Sequence, residues 1–384
     1  MAEAVYTIFR FGFAVVFVGL HAALMAGLFL EWRRDRKALS GNLAAGNAEK
    51  GLPKVSVIIP VHNESRRMEE TLRSLETQDY PNAEFIFIDD RSSDESAKMI
   101  AGFIKGRPSM RTISLTENPA LNHKQYALAR GIGVSTGEFL LFTDADCEIP
   151  PGWIGAMVKR MADERVGAAI GPVLKRPGAR GFFYLYQCFE HGVRYMYLAA
   201  STGLGAAGGG FGNNMILRRA SLEAVGGYEK VPPSPTEDAA LVSRIRTCSR
   251  YKIRAALGPD VHVITRGEYT WKDFVNQTLR WNNGGLFSPD ISTRINFGFL
   301  MITISMGILA IPFLPFIPSL WPLPAAVMLS MTWNTIAVLG LFGVSLPKKG
   351  PAYIIQLVFT PVYFTFLTII GLCGVKPKWK GDRI

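Results

Sequence analysis

The chain has 384 residues, 48% of them hydrophobic, and a formal net charge of +11. That length holds a full-sized domain plus separate membrane segments, and the positive excess points to an anionic partner, either a lipid headgroup surface or a nucleotide phosphate. No nucleic-acid-binding module is recognisable, and Cys147, Cys188, Cys248 and Cys373 lack the spacing of a zinc site or disulfide framework, which places the soluble part in a reducing, cytosolic compartment.

Residues from Phe11 to Leu30 are apolar for roughly the length a bilayer core requires. The cluster Arg33-Arg34-Asp35-Arg36-Lys37 follows at once, which predicts a membrane anchor over residues 1–32 whose basic end faces the cytoplasm. A cleaved signal peptide would carry its basic residues on the other side of the apolar core. Residues 33–53 are then a basic flank and linker, with Gly, Ala and Asn prominent over 38–52.

From residue 54 a strand and helix alternation begins. Val55–Pro60, Glu84–Asp90, Arg111–Leu115 and Glu138–Thr143 are strand-like, and polar amphipathic stretches separate them. Short apolar strands between helices predict a parallel sheet covered on both faces, with ligands beyond the carboxyl ends of the strands. Those ends carry Pro60-Val61-His62-Asn63-Glu64, then Asp89-Asp90-Arg91-Ser92, then Asp144-Ala145-Asp146. Turn or helix-cap chemistry explains any one of these, Asp94 included, but explains three together poorly. A dinucleotide-binding domain would need Gly-x-Gly-x-x-Gly where this chain has Pro-Val-His-Asn-Glu.

Asp144 and Asp146 are spaced i, i+2, so in an extended segment both would face one divalent cation; the plainer alternative is a pair of solvated turn carboxylates. Lys124 opens a helical stretch and suits either a phosphate or solvent. The aromatic segment from Phe182 to Tyr197 is too broken by polar residues to span a bilayer, and reads either as a surface-lying lipid guide or as an ordinary core helix. A glycine-rich run, Gly203 to Gly212, leads into Asn213 and Asn214.

Asp238, preceded by Glu237, starts a helical stretch, where a carboxylate is favoured by the dipole whatever its chemistry. His262 lies between valines and reads as structural rather than as a metal ligand. Arg280 offers phosphate oxygens a planar fork and Trp281 offers a sugar ring a flat face, although both also suit a membrane interface.

Beyond Arg294 the chain becomes a membrane region, expected over residues 297–375. Residues 297–319 and 324–346 give two spans, and Lys348-Lys349 marks a return to the cytoplasm. A full crossing by residues 351–375 would put the basic tail, 376–384, outside, so Pro361 predicts a broken or re-entrant path and a cytoplasmic tail.

Seven marks, taken together, resemble one family. They are Ile58-Ile59-Pro60-Val61-His62-Asn63-Glu64; Ser74-Leu75-Glu76-Thr77-Gln78-Asp79-Tyr80-Pro81; Asp89-Asp90-Arg91-Ser92-Ser93-Asp94; Thr143-Asp144-Ala145-Asp146; Gly212-Asn213-Asn214 running to Arg218-Arg219; Thr236-Glu237-Asp238; and Gln277-Thr278-Leu279-Arg280-Trp281. Their order and spacing resemble the membrane-anchored, inverting family 2 glycosyltransferases, from about Val55 to Trp281. The resemblance implies a GT-A nucleotide-diphospho-sugar transferase fold over residues 54–296, an α/β domain with a mostly parallel sheet flanked by helices, and one N-terminal and two to three C-terminal transmembrane segments.

The same resemblance implies that Pro60 and Glu64 border the nucleoside of a uridine-type donor, that Asp90 reads its base, and that Lys124 lies near the nucleotide. It implies that Asp144 and Asp146 bind Mg²⁺ or Mn²⁺, that Asp238 is the catalytic base, and that Asn213, Asn214, Glu237, Gln277, Arg280 and Trp281 serve the diphosphate and the acceptor. Lys378-Trp379-Lys380-Gly381-Asp382-Arg383 is similar to the ending of lipid-directed members, with Asp382 interrupting it. Three functions remain open at this point. They are transfer of one sugar to a membrane lipid, processive polysaccharide synthesis, which generally needs more membrane helices, and a catalytically silent scaffold that binds nucleotide sugar.

Overall fold

The computed structural model describes residues 2–40, 51–117, 123–176, 181–232, 234, 236–347, 350–379 and 382–383. Most of the 38–52 linker, Lys348-Lys349 and part of the Lys378–Arg383 tail lie outside the described residues. In chain order the helices are α1 (Ala2–Ser40), α2 (Met68–Glu76), α3 (Ser96–Ile104), α4 (His123–Val134), α5 (Trp153–Arg160), α6 (Phe182–Gly203), α7 (Arg219–Glu223), α8 (Glu237–Cys248), α9 (Trp271–Leu286), α10 (Ile291–Ala310), α11 (Pro322–Phe342) and α12 (Gly350–Leu372). The strands are β1 (Val55–Val61), β2 (Ala83–Asp90), β3 (Met110–Leu115), β4 (Phe139–Phe142), β5 (Cys147–Glu148), β6 (Val166–Ile170), β7 (Val173–Arg176), β8 (Met215–Arg218), β9 (Lys252–Ala255), β10 (Val263–Arg266), β11 (Lys378–Trp379) and β12 (Asp382–Arg383). The chain divides into two compact units, Leu30–Lys175 with Gly209–Arg266, and Met1–Phe29 with Arg176–Gly208 and Gly267–Ile384.

The first unit is built on a seven-stranded sheet of order β3-β2-β1-β4-β8-β6-β9. The four expected strands are there and parallel to one another; β1, β2 and β4 carry the buried Val, Ile, Leu and Phe runs of a sheet covered on both faces, while β3 is a largely exposed edge strand. β8 departs from the parallel expectation: it runs antiparallel to both β4 and β6. Its first residue, Met215, pairs with Phe142 at the carboxyl end of β4 and with Ile170 at the end of β6. The antiparallel insertion therefore brings Asn213 and Asn214, just ahead of β8, to the rim where β1, β2 and β4 end. A smaller sheet, β5-β10-β7, starts directly after Asp146.

Helix α1 continues unbroken through the basic flank to Ser40. Its charged turns are held within the first unit because they carry two buried carboxylates, Glu31 and Asp35. Glu31 accepts from the Ala255 amide at 2.9 Å, and Asp35 accepts from the Leu257 and Gly258 amides at 3.1 and 3.2 Å. Arg160, 4% exposed, lies between Asp35 and Asp260 with bonds of 2.6 and 2.9 Å.

The second unit is helical. Among the described residues four helices are long and apolar enough to cross a membrane, over Phe11–Ser40, Ile291–Phe313, Pro318–Phe342 and Tyr353–Leu372. The last runs straight through Pro361 rather than breaking there, so the expected interruption is absent: proline removes one helix bond but the flanking turns hold. In this unit α6, the aromatic segment, is mostly buried against α11 and α12, which is the core-helix alternative of the two expected. α1 and α6 cross with their backbones in contact. A side chain on Gly27 would strike the Ala200 carbonyl, and one on Gly203 would strike that of Gly27.

Arg160→Met should cost about 3–5 kcal/mol, because it leaves the buried Asp35 carboxylate without its cation. The expected outcome is a clearly lowered thermal midpoint of the detergent-solubilised chain, against almost no change for Asp163→Ala, whose ion pair with Arg165 is largely exposed.

Candidate active site

The rim of the first unit is knitted together by its loops. After β1, Asn63 takes a left-handed conformation (φ 55°), and after β2, Arg91 does the same (φ 56°). Asparagine tolerates this region and arginine does not readily, so the turn at Arg91 stores strain that its contacts must hold. The Asn63 side-chain oxygen accepts from the Ser93 amide at 2.8 Å, and Asp94 accepts from the Ser65 and Ser96 amides at 3.0 Å each. Burial alone would raise the Asp94 carboxyl, but the bonds from Ser96 and Ser65 hold it well below the usual carboxylate range.

Asp90, 3% exposed, ends β2, and its carboxylate is gripped by the Arg91 guanidinium at 2.7 Å. The same guanidinium reaches His123 Nδ1 at 2.6 Å, at the start of α4. Pro60 is half-buried near the end of β1 and Glu64 is half-buried in the loop beyond, its backbone amide donating to Ser96 Oγ at 2.9 Å.

Next to His123, Lys124 points its ammonium into a group of carboxylates. It meets Asp144 at 2.7 and 2.8 Å and Glu237 at 3.7 Å. Burial would lower its proton affinity, yet Asp144, Glu237 and Asp238 together raise it, so the lysine stays charged. Asp238 stands on the first turn of α8. Its Oδ2 accepts from the Gly212 amide at 2.8 Å and its Oδ1 from the Ala239 amide at 2.7 Å. Behind it lie Leu128, Phe142, Met215, Tyr228 and Leu241. This apolar backing and the adjacent Glu237 push the Asp238 carboxyl up to about 6, against the pull of Lys124 and the two amides.

Asp144 and Asp146 sit in a turn after β4 rather than in an extended strand, and they take different partners. Asp146 accepts from Thr265 Oγ1 of β10 at 3.2 Å and lies 3.7 Å from Arg67. Among the described residues no three His, Cys, Asp or Glu side chains cluster to hold a metal by themselves. Even so, the donor set suits a hard divalent cation. Two carboxylates, each now beside a cationic side chain, Asp144 beside Lys124 and Asp146 beside Arg67, would leave the remaining positions to ligand phosphates and water. His262 is buried, its Nε2 3.4 Å from the Leu257 carbonyl, as a structural histidine would be.

The two asparagines differ in kind. Asn213 is half-buried with its amide toward Cys147 Sγ at 3.3 Å, whereas Asn214 is fully buried and acts as a strut. Asn214 accepts from Trp153 Nε1 at 2.9 Å and donates to the carbonyls of Pro172 and Val261, both at 2.8 Å. Arg67 and Thr265 belong to the cluster without having been anticipated, since neither carries a local sequence signal beyond residue type; Arg91 and Gly212 lie within marked motifs, which had given them no role of their own. In the helical unit, α9 carries Gln277, which donates to Glu268 at 2.8 Å, and Trp281, which packs edge-on to His191 with centroids 5.1 Å apart. Arg280 lies over the Trp281 ring at 5.9 Å.

Residues 56–226 match the family described as Glycosyl transferase family 2. A beta-monoglucosyldiacylglycerol synthase of Trichormus variabilis is 25% identical over 80% of this chain and 65% of its own length. The probable glycosyltransferase YdaM of Bacillus subtilis is 26% identical over 73% of this chain and 66% of its own. The chain thus spans slightly less than two thirds of these relatives. Among solved structures, a mannosyltransferase of Pyrobaculum calidifontis, in complex with GDP-mannose and Mn²⁺, matches 94% of this chain and 99% of its own, at 19% identity and a TM-score of 0.53. That likeness shows a GT-A type of fold.

Lys124→Met should raise the pH at which Asp238 takes up a proton above about 6, because it removes the charge opposing burial and Glu237. The protonated-carboxyl band in an infrared titration, wild type minus Asp238→Asn, would measure the shift, and an unchanged midpoint would disprove the coupling.

Proposed function

We propose that the chain, whose residues 56–226 match the family described as Glycosyl transferase family 2, transfers a single sugar, with inversion, from a nucleotide diphosphate donor to a membrane lipid. One observation carries this reading. A carboxyl of raised proton affinity, Asp238, is held by two amides beside the Lys124–Asp144 pair at the carboxyl rim of the sheet.

Inversion needs one displacement at the anomeric carbon, so a base must take the acceptor hydroxyl proton as that oxygen attacks and the bond to the diphosphate breaks. Each Asp238 oxygen accepts one amide bond and keeps a lone pair for that proton. The amides orient the carboxylate, and the apolar wall behind it favours proton uptake. Lys124 supplies fixed positive charge beside Asp144, where phosphate oxygens would gain negative charge as the bond breaks. Asp144 and Asp146 would hold Mg²⁺ or Mn²⁺, which when bound takes up charge from the leaving diphosphate. In this reading Asp90 reads the base of a uridine-type donor, and Pro60 and Glu64 border the nucleoside.

The lipid acceptor rests on the name of the Trichormus relative and on the four apolar helices. The Arg33 to Lys37 cluster, following the first of them, favours a cytoplasmic catalytic unit.

Asp238→Asn should retain donor binding and lose about 10²–10⁴-fold in transfer rate. In the wild type, kcat/KM should fall tenfold per pH unit below about 6, as the base becomes protonated. Membranes carrying the chain, incubated with labelled nucleotide sugars, should place label in solvent-extractable lipid. Label in a long polymer, or a pH profile flat from 5 to 8, would overturn this reading.

A further inference from the structure

The helical unit buries a polar seam among α6, α9 and α12. On α6, Glu190 and Arg194 form an ion pair one turn apart, with Glu190 0% exposed. Among the described residues, Glu190 Oε2 and an Arg194 terminal nitrogen nevertheless find no hydrogen-bond partner, although the guanidinium lies over the Trp281 and Phe364 rings at 5.3 and 5.6 Å. On α12, Gln356 is 1% exposed and neither its amide nitrogen nor its amide oxygen is bonded to a described residue; Thr360, one turn on and 2% exposed, faces the Tyr186 hydroxyl.

These groups belong to one place. Tyr186 of α6 packs on Phe359 and Tyr363 of α12 with ring centroids 4.6 and 5.6 Å apart, and Phe189 packs on Tyr353 at 5.7 Å. Gln356 lies on the α12 face between those contacts, one turn from Tyr353 and one from Thr360. Tyr363 bonds Thr278 of α9 and lies within electrostatic reach of Glu190 and Arg194.

An unpaired amide or carboxylate oxygen among apolar helices costs free energy that only a hydrogen-bonding occupant returns. The unmet groups include acceptors on Glu190 and Gln356 and donors on Arg194 and Gln356, while the ion pair itself is neutral overall. A hydroxyl both donates and accepts, so it matches this mixture. A phosphate accepts only, and would face the Glu190 carboxylate. From this complementarity we infer that the seam binds the uncharged, hydroxyl-bearing headgroup of a lipid. Resting on the function proposed above, this lipid is the acceptor class. Helices α6 and α12 part most readily along the seam, where their packing leaves polar groups unmet.

Gln356→Leu tests this, since it preserves size and removes two unmet groups; Thr360→Val is the second variant. Direct binding to the full chain in detergent can be followed by native mass spectrometry, with diacylglycerol and monoglucosyl diacylglycerol as neutral probes and phosphatidylglycerol and undecaprenyl phosphate as anionic ones. The wild type should retain the neutral probes preferentially. Each variant should weaken that retention about tenfold, the worth of one or two hydrogen bonds, while nucleotide-sugar binding holds and the thermal midpoint stays level or rises. Equal retention of neutral and anionic probes would overturn the inference. So would unchanged retention in both variants with a lowered midpoint, the result expected if buried water fills the seam. Neutral-lipid binding by a wild type that never labels lipid would defeat the proposed reaction and leave this site standing. Lipid labelling with unaltered acceptor KM in both variants would do the reverse.

Discussion

Asp144, Glu237 and Asp238 come from a turn after a strand and from the start of a distant helix, and three carboxylates at one rim repel one another. The Lys124 ammonium makes the gathering tolerable, with Asp144 at 2.7 Å and Glu237 at 3.7 Å. The same cation stops burial from driving Asp238 further toward its neutral form. Its position depends on α4, whose first residue, His123, is tied through Arg91 to Asp90 at the end of β2. Asp90, Arg91, His123, Lys124, Asp144 and Glu237 are thus linked along the adjacent strand ends, with Asp238 in the field of the same lysine.

Much of this could be read from the chain alone. The apolar runs of β1, β2 and β4 announce themselves because each is bounded by turn residues, and their carboxyl ends carry the acidic groups. β8 escapes such reading: four residues, Met215 to Arg218, give too short a run to separate from loop. Its antiparallel direction is a tertiary choice with no local mark. Asn214 illustrates a related limit. Motif order marks it, but only the bonds to Trp153, Pro172 and Val261 reveal that its amide braces the fold. Thr265 and Arg67 are ordinary residues made relevant by where the chain folds them.

The helical unit adds a contrast between two ways of using polarity among apolar helices. His21, Tyr197 and Asn334 bond one another across α1, α6 and α11, and small residues at Gly27 and Gly203 let backbones touch. That is polarity used for adhesion. The Gln356 amide, by contrast, has neither its nitrogen nor its oxygen bonded to a described residue, where the Asn334 amide lacks a partner only at its oxygen. Sequence composition does not separate the two arrangements, because a glutamine and an asparagine in hydrophobic helices look alike until their partners are known. The basic flank carries a similar lesson. Its charges suggest solvent, yet Glu31 and Asp35 are buried because amides and Arg160 meet them.

The antiparallel strand has a further effect, on the order of assembly during synthesis. β4 and β6 are not neighbours; β8 lies between them, and it leaves the ribosome only after both. Early pairing of β1, β2, β3 and β4 leaves an open edge that the nascent chain must keep from sticking elsewhere until Met215 to Arg218 emerge. The helix beginning at Glu237 follows that strand closely in the chain. Its carboxylates therefore arrive as the sheet is completed, and a ribosome stalled before that point would expose half a sheet without the Glu237 and Asp238 side chains.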